Sequence, residues 1–299
     1  MKPLGNILAA TDLSAPSRHA VDRGFMVAHE TGASLTVAYA LDLGLLDELR
    51  GLLAGRSEAI VGKLEAQIRD ELTDMLAEPD RNRGITASMR IEHGSALMAL
   101  PAIADAIDVD LLVLGARGEG FLRHMLLGSI ASRLIHLTGR PVLVVRQPPR
   151  DRYRHVLIPV DFTAASPKLI QIARRVAPSA AITLLHAFDV PFEGKLRYAG
   201  VEKTIIDTYR ELAATQAEQR LGALAADVGL PRGSYAAIVL QGDPTQHILQ
   251  QEQERDCDLI VMGKHGASLQ NLLLGSVTKH VLSQSQSDVL VLEGGPVTD

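Results

Sequence analysis

Two glycine-rich segments have residue types and spacings that could bind a phosphate group. Residues 111–129 read LLVLGARGEGFLRHMLLGS, and residues 259–276 read LIVMGKHGASLQNLLLGS. Each has a Gly-x-x-Gly step after an apolar run, and each ends in Gly-Ser before a predicted helix. Glycine brings bare backbone amides close to an anion, and the amides at a helix N-terminus favour phosphate. The alternative is that these glycines form simple turns and that the serine is only a helix cap.

Both segments belong to an internal repeat that runs through the 299 residues. The first apolar run of each half ends at an aspartate, Asp12 or Asp161. Such runs predict strands at 7–10, 35–40, 89–92, 110–115 and 141–145, and again at 156–160, 182–187, 237–241, 258–263 and 288–292. Long helices with one polar face are predicted at 57–78 and 201–228. We expect Ser14 and Ser166 to cap the helices that follow the first strands.

This order of elements predicts two tandem doubly wound parallel five-stranded sheets, each flanked by helices. The charged, proline-containing stretch 146–154 is the predicted linker, so we expect one domain at 1–147 and another at 154–299. Ligands of such folds bind beyond the carboxyl ends of the strands. Both glycine-rich segments and both strand-end aspartates should therefore lie at that edge of their own sheet.

The joint pattern resembles the universal stress protein family over nearly the whole chain. The nucleotide-binding signature of that family is Gly-x2-Gly-x9-Gly-[Ser/Thr], and Gly115, Gly118, Gly128 and Ser129 match it at every spacing. The resemblance implies a Rossmann-like fold of the adenine nucleotide alpha hydrolase-like type that binds ATP, and it leaves open whether Mg²⁺ accompanies the nucleotide. It further implies that Asp12 and Ala40 contact adenine and its ribose, while the glycines and Ser129 hold ribose and phosphates.

In the second half the resemblance assigns the same roles to Asp161, Ala187, Gly263, Gly266, Gly275 and Ser276. The spacing departs here, because eight residues and not nine separate Gly266 from Gly275. One deleted residue turns a helix by about 100°, so we expect a degenerate second site.

The charged residues of these segments allow two interpretations. Arg117, Lys264 and His265 would place cationic or ionisable side chains beside the phosphates, or they are solvated loop charges. Asp12 and Asp161 could likewise be only helix-capping carboxylates.

The sequence carries few signs of catalysis or metal binding. It contains no Gly-x4-Gly-Lys-[Ser/Thr], no His-Glu-x-x-His and no Gly-x-Ser-x-Gly. The histidines of the second half lack the spacing of metal ligands, and we expect His186 to be half-buried and hydrogen-bonded. Cys257 lies between two aspartates, which predicts an ordinary thiol and not a nucleophile.

Charge and composition narrow the range of partners. A net charge of -5 with scattered arginines argues against nucleic acid. A single cysteine, and a first apolar run that stops at Asp12, predict a cytoplasmic protein without a membrane segment. The final strands would leave open sheet edges, and the resemblance implies that 141–146 pair with 288–293 in an intrachain pseudo-dimer. Whether whole chains form a homodimer stays open.

Three function classes follow from these observations. We favour a stress-response protein that binds an adenine nucleotide and has at most slow ATP hydrolysis. The second class is a slow ATPase or autokinase, in which Asp12 holds a metal and Ser129 lies near the γ-phosphate. The third is an interaction protein that binds no nucleotide and whose clefts are vestigial or accept a lipid or another small apolar ligand, with the second half as the better candidate.

Overall fold

Five parallel strands form the framework of each of the two units of the computed structural model, Met1–Arg152 and Tyr153–Asp299. The structure describes residues 2–42, 44, 57–117, 127–190, 192–264 and 274–293. Gly118 and Gly266, both predicted to bind phosphate, and His265 lie outside these ranges. Among the helices of the described ranges, none combines the length and the apolar character needed to cross a bilayer.

The first unit contains strands β1 to β5, arranged in the order β3-β2-β1-β4-β5 with every described pair parallel. The strands are β1 Asn6–Ala10, β2 Ser34–Leu41, β3 Ser88–His93, β4 Leu111–Gly115 and β5 Val142–Val145. Its described helices are Ala15–Thr31, Ser57–Ala77, Pro79–Asn82, Ala96–Ala106 and Ser129–Leu137. The strand order reverses between β1 and β4, which is where doubly wound sheets open a crevice for ligands.

The second unit repeats this topology with strands β6 to β10 in the order β10-β9-β6-β7-β8, again with parallel pairs. The strands are β6 His155–Pro159, β7 Ala181–Phe188, β8 Tyr235–Gln241, β9 Leu259–Gly263 and β10 Asp288–Leu292. Its described helices are Ser166–Val176, Glu193–Tyr198, Lys203–Asp227, Pro244–Glu254 and Ser276–Gln284. The crevice of this unit opens between β6 and β9.

Continuous apolar strands build each core because helices cover both faces of a parallel sheet. Ile7, Leu8 and Ala9 of β1 are fully buried. The helix Ala15–Thr31 approaches this sheet closely at Gly24, where an added Cβ would lie 3.2 Å from the Ala9 Cβ. That helix ends at Gly32, whose φ of 71° is the left-handed conformation common at helix C-termini.

The structure confirms the predicted fold class and corrects details of the helices. Two short helices, Pro79–Asn82 and Glu193–Tyr198, were not predicted. The cap at Ser166 is wrong, because Ala165 is the N-cap and Ser166 is already helical. Ser14 does precede its helix, but its side chain makes no capping hydrogen bond. Its hydroxyl donates to Asp12 Oδ1 at 2.5 Å, a hydrogen bond strengthened by the charge of the carboxylate.

Candidate functional site

A cavity of about 240 Å³ lies at the carboxyl edge of the first sheet. Asp12, Ala40, Gly115, Gly128 and Ser129 all line it, as the sequence predicts. The remaining lining residues are Ala10, Thr11, Ser17, Ala38, Asp42, Ala96, Leu100, Leu114, Arg117, Ile130 and Ala131. Residues from the ends of three parallel strands and from three helices therefore meet in one crevice.

Asp12 organises the turn between β1 and the first helix. Its Oδ1 accepts hydrogen bonds from the Ser14 amide at 3.0 Å and from the Ser14 hydroxyl. Between them, Leu13 has a φ of 65°, a left-handed conformation that a leucine adopts only under constraint. The buried hydroxyls of Thr11 and Ser17 lie 2.9 Å apart behind this turn. The carboxylate is thus held in place at the cavity wall by its own loop.

The second unit builds the same turn at Asp161. Its Oδ1 accepts from the Thr163 amide at 3.1 Å and from the Thr163 hydroxyl at 2.7 Å. Phe162 takes the place of Leu13 and has a φ of 60°. Strained backbone at the same position of both units is typical of a site that must hold a side chain in one orientation.

Two glycines bring the loop after β4 and the following helix close together. A Cβ added at Gly115 would lie 2.8 Å from the backbone oxygen of Pro16, so no other residue fits there without a shift. The Gly128 amide donates to the Ala116 carbonyl oxygen at 2.7 Å, which closes the loop onto the strand end. A Cβ at Gly128 would approach that same oxygen to 3.3 Å.

The helix Ser129–Leu137 begins at the cavity wall without a side-chain cap. Its N-cap is Gly128, in extended conformation, and no side chain accepts a capping hydrogen bond there. Ser129, Ile130 and Ala131 form its first turn and all line the cavity. The first amides of a helix have no intrahelical partner and carry the positive end of the helix dipole. Together with the exposed Arg117 guanidinium, they make this wall of the cavity attractive to anions.

The second unit has a cavity of the same volume, about 240 Å³, in the equivalent crevice. Asp161, Ala187, Gly263, Gly275 and Ser276 line it, as the sequence predicts. The remaining lining residues are Pro159, Val160, Thr163, Ala165, Leu169, Leu185, Pro244, Ile248, Met262, Val277 and Thr278.

The second signature is one residue shorter than the first, yet the backbone contacts before and after the shortened segment are the same in both units. The Gly275 amide donates to the Lys264 carbonyl oxygen at 2.7 Å, which repeats the bond between Gly128 and Ala116. The helix Ser276–Gln284 begins at its serine, as the helix of the first unit does. The helix Ser276–Gln284 is therefore not rotated by the expected angle of about 100°. The hydrogen bond fixes where this helix starts, whatever the length of the segment before it.

Lys264 was expected beside the phosphates or in solvent, and this expectation is wrong. Lys264 is not among the residues that line the second cavity, and it is buried. Its side chain is 4% exposed, and its Nζ lies 3.7 Å from Glu293 Oε2. Burial lowers the pKa of this lysine, and the Glu293 carboxylate opposes that effect. The residue of the first unit that is equivalent to Lys264 is Ala116, which is also buried.

Two other expectations about side chains are confirmed. His186 is half-buried with its Nδ1 2.8 Å from the Val160 carbonyl oxygen, and burial lowers its pKa. Cys257 is buried, and this burial raises the pKa of its thiol to about 11, so it is not a nucleophile. Within the described ranges, no group of three or more His, Cys, Asp or Glu side chains could hold a metal ion.

The sequence analysis missed several lining residues. Asp42 follows β2 and adds a second carboxylate to the first cavity, and Thr278 adds a buried hydroxyl to the second, donating to the Gly263 carbonyl oxygen at 2.8 Å. Asp42 could have been found, because it lies two residues after the end of the predicted strand 35–40. Thr278 carried no such signal, since its position within a helix does not show which way it faces.

Comparison with known proteins agrees with this architecture. A model described as the universal stress protein family matches residues 3–146 and again residues 152–293. The crystal structure of a universal stress protein from Archaeoglobus fulgidus superimposes over 97% of this chain and 98% of that chain, with a TM-score of 0.66 and 17% identity. At that identity the likeness shows the fold alone.

Sequence relatives include universal stress proteins of bacteria and archaea. Rv2005c of Mycobacterium tuberculosis is 27% identical over 192 residues, and the match covers 62% of each protein. The chain thus spans about 62% of the length of the mycobacterial relatives it matches. MJ0577 of Methanocaldococcus jannaschii is 27% identical over 157 residues, which are 47% of this chain and 95% of that protein.

Proposed function

The chain belongs to the universal stress protein family, and from this premise we propose that it is a stress-response protein that binds ATP in its first unit. One observation carries the proposal. The lining of a single cavity includes the fixed Asp12 carboxylate, the uncapped helix N-terminus at Ser129 and the side chain of Arg117. These groups complement the two ends of a nucleotide, because a carboxylate accepts from ribose hydroxyls while amides and a guanidinium donate to phosphates.

Each residue of the first site has a proposed role. Asp12 and the backbone of Ala40 contact ribose and adenine at the ends of β1 and β2. The backbone at Gly115, Gly118 and Gly128, with the hydroxyl of Ser129, holds ribose and phosphates. The apolar lining from Leu100 and Leu114 covers the base, as apolar walls do in most small-molecule sites.

Mg²⁺ fits the first cavity as a companion of the phosphates. Asp12 and Asp42 both line it, and Mg²⁺ prefers one or two carboxylates together with phosphate oxygens. When bound, the ion would neutralise phosphate charge. Asp42, which is not assigned to the ribose, would hold it.

We propose binding with at most slow hydrolysis. Among the described residues that line the first cavity, none is a histidine, the side chain whose ordinary pKa lies nearest to neutral pH. Such a protein would carry out its function in the nucleotide-bound state. In the second unit, Asp161, Ala187, Gly263, Gly266, Gly275 and Ser276 form the equivalent proposed site.

The pairing of 141–146 with 288–293 and the cytoplasmic location stay predictions. Each final strand is the last strand in the order of its own unit, which supports the pairing. Hydrogen exchange on the whole chain tests it. Pairing predicts that all amides of Val142–Val145 exchange slowly, whereas an unpaired edge leaves alternate amides fast.

Calorimetric titration of the full chain with ATP tests the proposed function. We expect saturable binding, and we expect Ser129→Asp to remove the site of the first unit, because the added carboxylate repels phosphate while remaining favourable for the helix N-terminus. Ser132→Asp is the matched control, since it adds the same charge one turn later, outside the cavity lining. Absence of binding to the unmodified chain at millimolar ATP would contradict the proposal.

A further inference from the structure

The helix Lys203–Asp227 has apolar residues on two of its faces. It packs against β7 and β8, and its buried residues are Ile206, Ala217, Leu221 and Ala225. Three further apolar residues, Ile205, Tyr209 and Leu212, are 59%, 46% and 52% exposed. One apolar face is enough to attach a helix to a core. These three residues therefore form an exposed stripe that lies outside the core of the second unit.

The exposed stripe has the spacing at which two helices pack side by side. Its residues are separated by four and then three positions, and the next positions of that pattern are the exposed Gln216 and Gln219. Such steps keep residues on one face of a helix and are typical of helix pairs. The short helix Glu193–Tyr198 packs against the same helix, and its Tyr198 is 95% exposed. Aromatic side chains are enriched in protein interfaces, so this surface suits a contact with another helix.

The internal repeat shows that the fold does not require this stripe. The helix Ser57–Ala77 lies between β2 and β3, as the helix Lys203–Asp227 lies between β7 and β8. Among the residues 59–77, whose side chains the structure describes, every exposed one is polar, charged, alanine or glycine. Exposed apolar patches on soluble proteins mark interaction sites. The stripe of the second unit therefore indicates a partner.

Charge distinguishes a lipid surface from a protein as that partner. The helix has cations at Lys203, Arg210 and Arg220 and anions at Asp207, Glu211, Glu218 and Asp227. Helices that lie on membranes are rich in Lys and Arg on their polar face, which attracts anionic lipids. A helix with more anions than cations is not attracted in this way. The exposed stripe therefore suits a protein partner.

Two oppositely charged residues lie at the ends of the exposed stripe. Glu202 immediately precedes the helix, Arg220 lies within it, and both are exposed. They are 18 positions apart, which is about five full turns of a helix, so both lie along the same border of the stripe. Thr208 and Ala213, which border the stripe between them, are uncharged. The Arg220 guanidinium carbon lies 4.0 Å from the centre of the Phe162 ring, which restricts where this cation can lie.

This arrangement of charges is complementary to itself when two such helices run antiparallel. With Tyr209 of each chain beside Leu212 of the other, Glu202 of one chain comes level with Arg220 of the other to within about 1.5 Å, the rise of one residue. The twofold axis of such a dimer repeats this pair at the other end of the contact. A parallel pair would instead place each charge beside its own copy, and like charges repel.

From these observations we infer that two copies of this chain associate through the exposed stripe, with their Lys203–Asp227 helices packed antiparallel. Tyr209 and Leu212 form the apolar centre of the contact, and Glu202 and Arg220 pair across its rim. The partner is a second copy of this chain, and the contact does not depend on the proposed nucleotide site.

Sedimentation equilibrium of the full chain over a range of concentrations tests the association. We expect a reversible monomer–dimer equilibrium. Leu212→Lys should raise the dimer Kd by about tenfold or more, because the contact would bury an unpaired ammonium group. Ala226→Lys is the matched control, since it adds the same charge at an exposed position of the same helix, beyond Arg220. The control should keep the Kd within about twofold, and thermal unfolding checks that both variants fold.

An exchange of charges tests the antiparallel orientation. Glu202→Arg should raise the dimer Kd by about threefold to tenfold, because the new guanidinium lies beside Arg220 of the second copy. Arg220→Glu should have a similar effect. It also removes the contact with Phe162, so Glu202→Arg is the cleaner single reversal. The chain with both substitutions should dimerise within about threefold of the unmodified chain, because each pair is restored with its charges exchanged.

The outcomes that would overturn the inference are distinct. A chain that stays monomeric throughout the concentration series overturns it, and so does a dimer whose Kd is the same in Leu212→Lys. Double reversal that dimerises as weakly as the single reversals contradicts the antiparallel pairing. Vesicles of phosphatidylcholine and phosphatidylserine test the lipid alternative. Sedimentation of the unmodified chain with these vesicles, abolished by Leu212→Lys, would assign the stripe to a membrane surface and overturn the inference.

Discussion

The Gly128 amide donates a 2.7 Å hydrogen bond to the Ala116 carbonyl oxygen, and this bond joins the end of β4 to the start of the helix Ser129–Leu137. Gly275 and Lys264 make the same bond at 2.7 Å in the second unit. Because the bond lies at the base of the loop, the number of residues within the loop does not decide where the helix begins. Both helices therefore present their first turn to a cavity, although their signatures differ by one residue.

Gly115→Ala should destabilise the first unit by about 1–3 kcal/mol, the usual cost of forcing an atom into closed packing. The new Cβ would lie 2.8 Å from the Pro16 carbonyl oxygen, which is backbone and cannot rotate away. Urea unfolding measures the loss. Gly62→Ala is the matched control, because nothing lies within 4 Å of its added Cβ on the helix Ser57–Ala77. The free energy of unfolding of the control variant should rise by up to about 1 kcal/mol. Equal losses in both variants would contradict the close approach of the Pro16 carbonyl oxygen to Gly115.

Asp12→Ala should weaken ATP binding by about tenfold or more, since it removes a charged acceptor and releases a strained turn. Asp12 Oδ1 accepts both the amide and the hydroxyl of Ser14, so the variant also frees Leu13 from its φ of 65°. Asp161→Ala makes the same change in the second unit and tests the equivalent proposed site there. Calorimetric titration with ATP compares the two, and an unchanged affinity in Asp12→Ala would count against the site.

The strands and the predicted site residues could be found from the sequence because both depend on local patterns. Buried apolar runs such as Leu111–Gly115 predict strands, and the topology of parallel sheets then places their carboxyl ends together. Gly115, Gly128 and Ser129 follow from that placement, and the structure puts all of them at the first cavity.

What the sequence did not reveal depends on which way side chains face in three dimensions. Lys264 was expected at the phosphates or in solvent, yet it is buried against Glu293, a residue that is distant in sequence. Asp42 faces the first cavity, while its counterpart Asp189 accepts the amide of the next residue. Such choices are decided by packing between elements, which a single sequence does not display.

Glu252→Ala should cost the second unit about 3 kcal/mol or more, because it leaves several buried donors without an acceptor. Glu252 is 5% exposed, and its Oε1 accepts from the Ser285 hydroxyl at 2.8 Å and from the Ser287 amide at 2.7 Å. The exposed Glu218 lies on the helix Lys203–Asp227, and Glu218→Ala should change stability by less than about 0.5 kcal/mol. Thermal unfolding compares the variants, and a similar melting temperature for both would show that the Glu252 contacts contribute little.

The Cys257 thiol should react slowly with a thiol reagent at pH 8 in the folded chain. Burial raises its pKa from the ordinary 9.0 to about 11, which lowers the thiolate fraction at pH 8 by about a hundredfold. The pKa of the thiol is higher in the folded chain than in the unfolded chain. The contribution of the thiol to stability is therefore complete below pH 9 and declines as the pH rises toward 11. The reaction should accelerate once urea unfolds the protein. Fast modification of the folded chain would show that the thiol is accessible and ionised.

A crystal structure of the full chain grown with excess ATP tests the central claim most directly. The account predicts a nucleotide in the first cavity, with its phosphates at the first turn of the helix Ser129–Leu137 and its ribose beside Asp12. A first cavity without nucleotide under saturating ATP, or a nucleotide whose phosphates point away from Ser129, would contradict it.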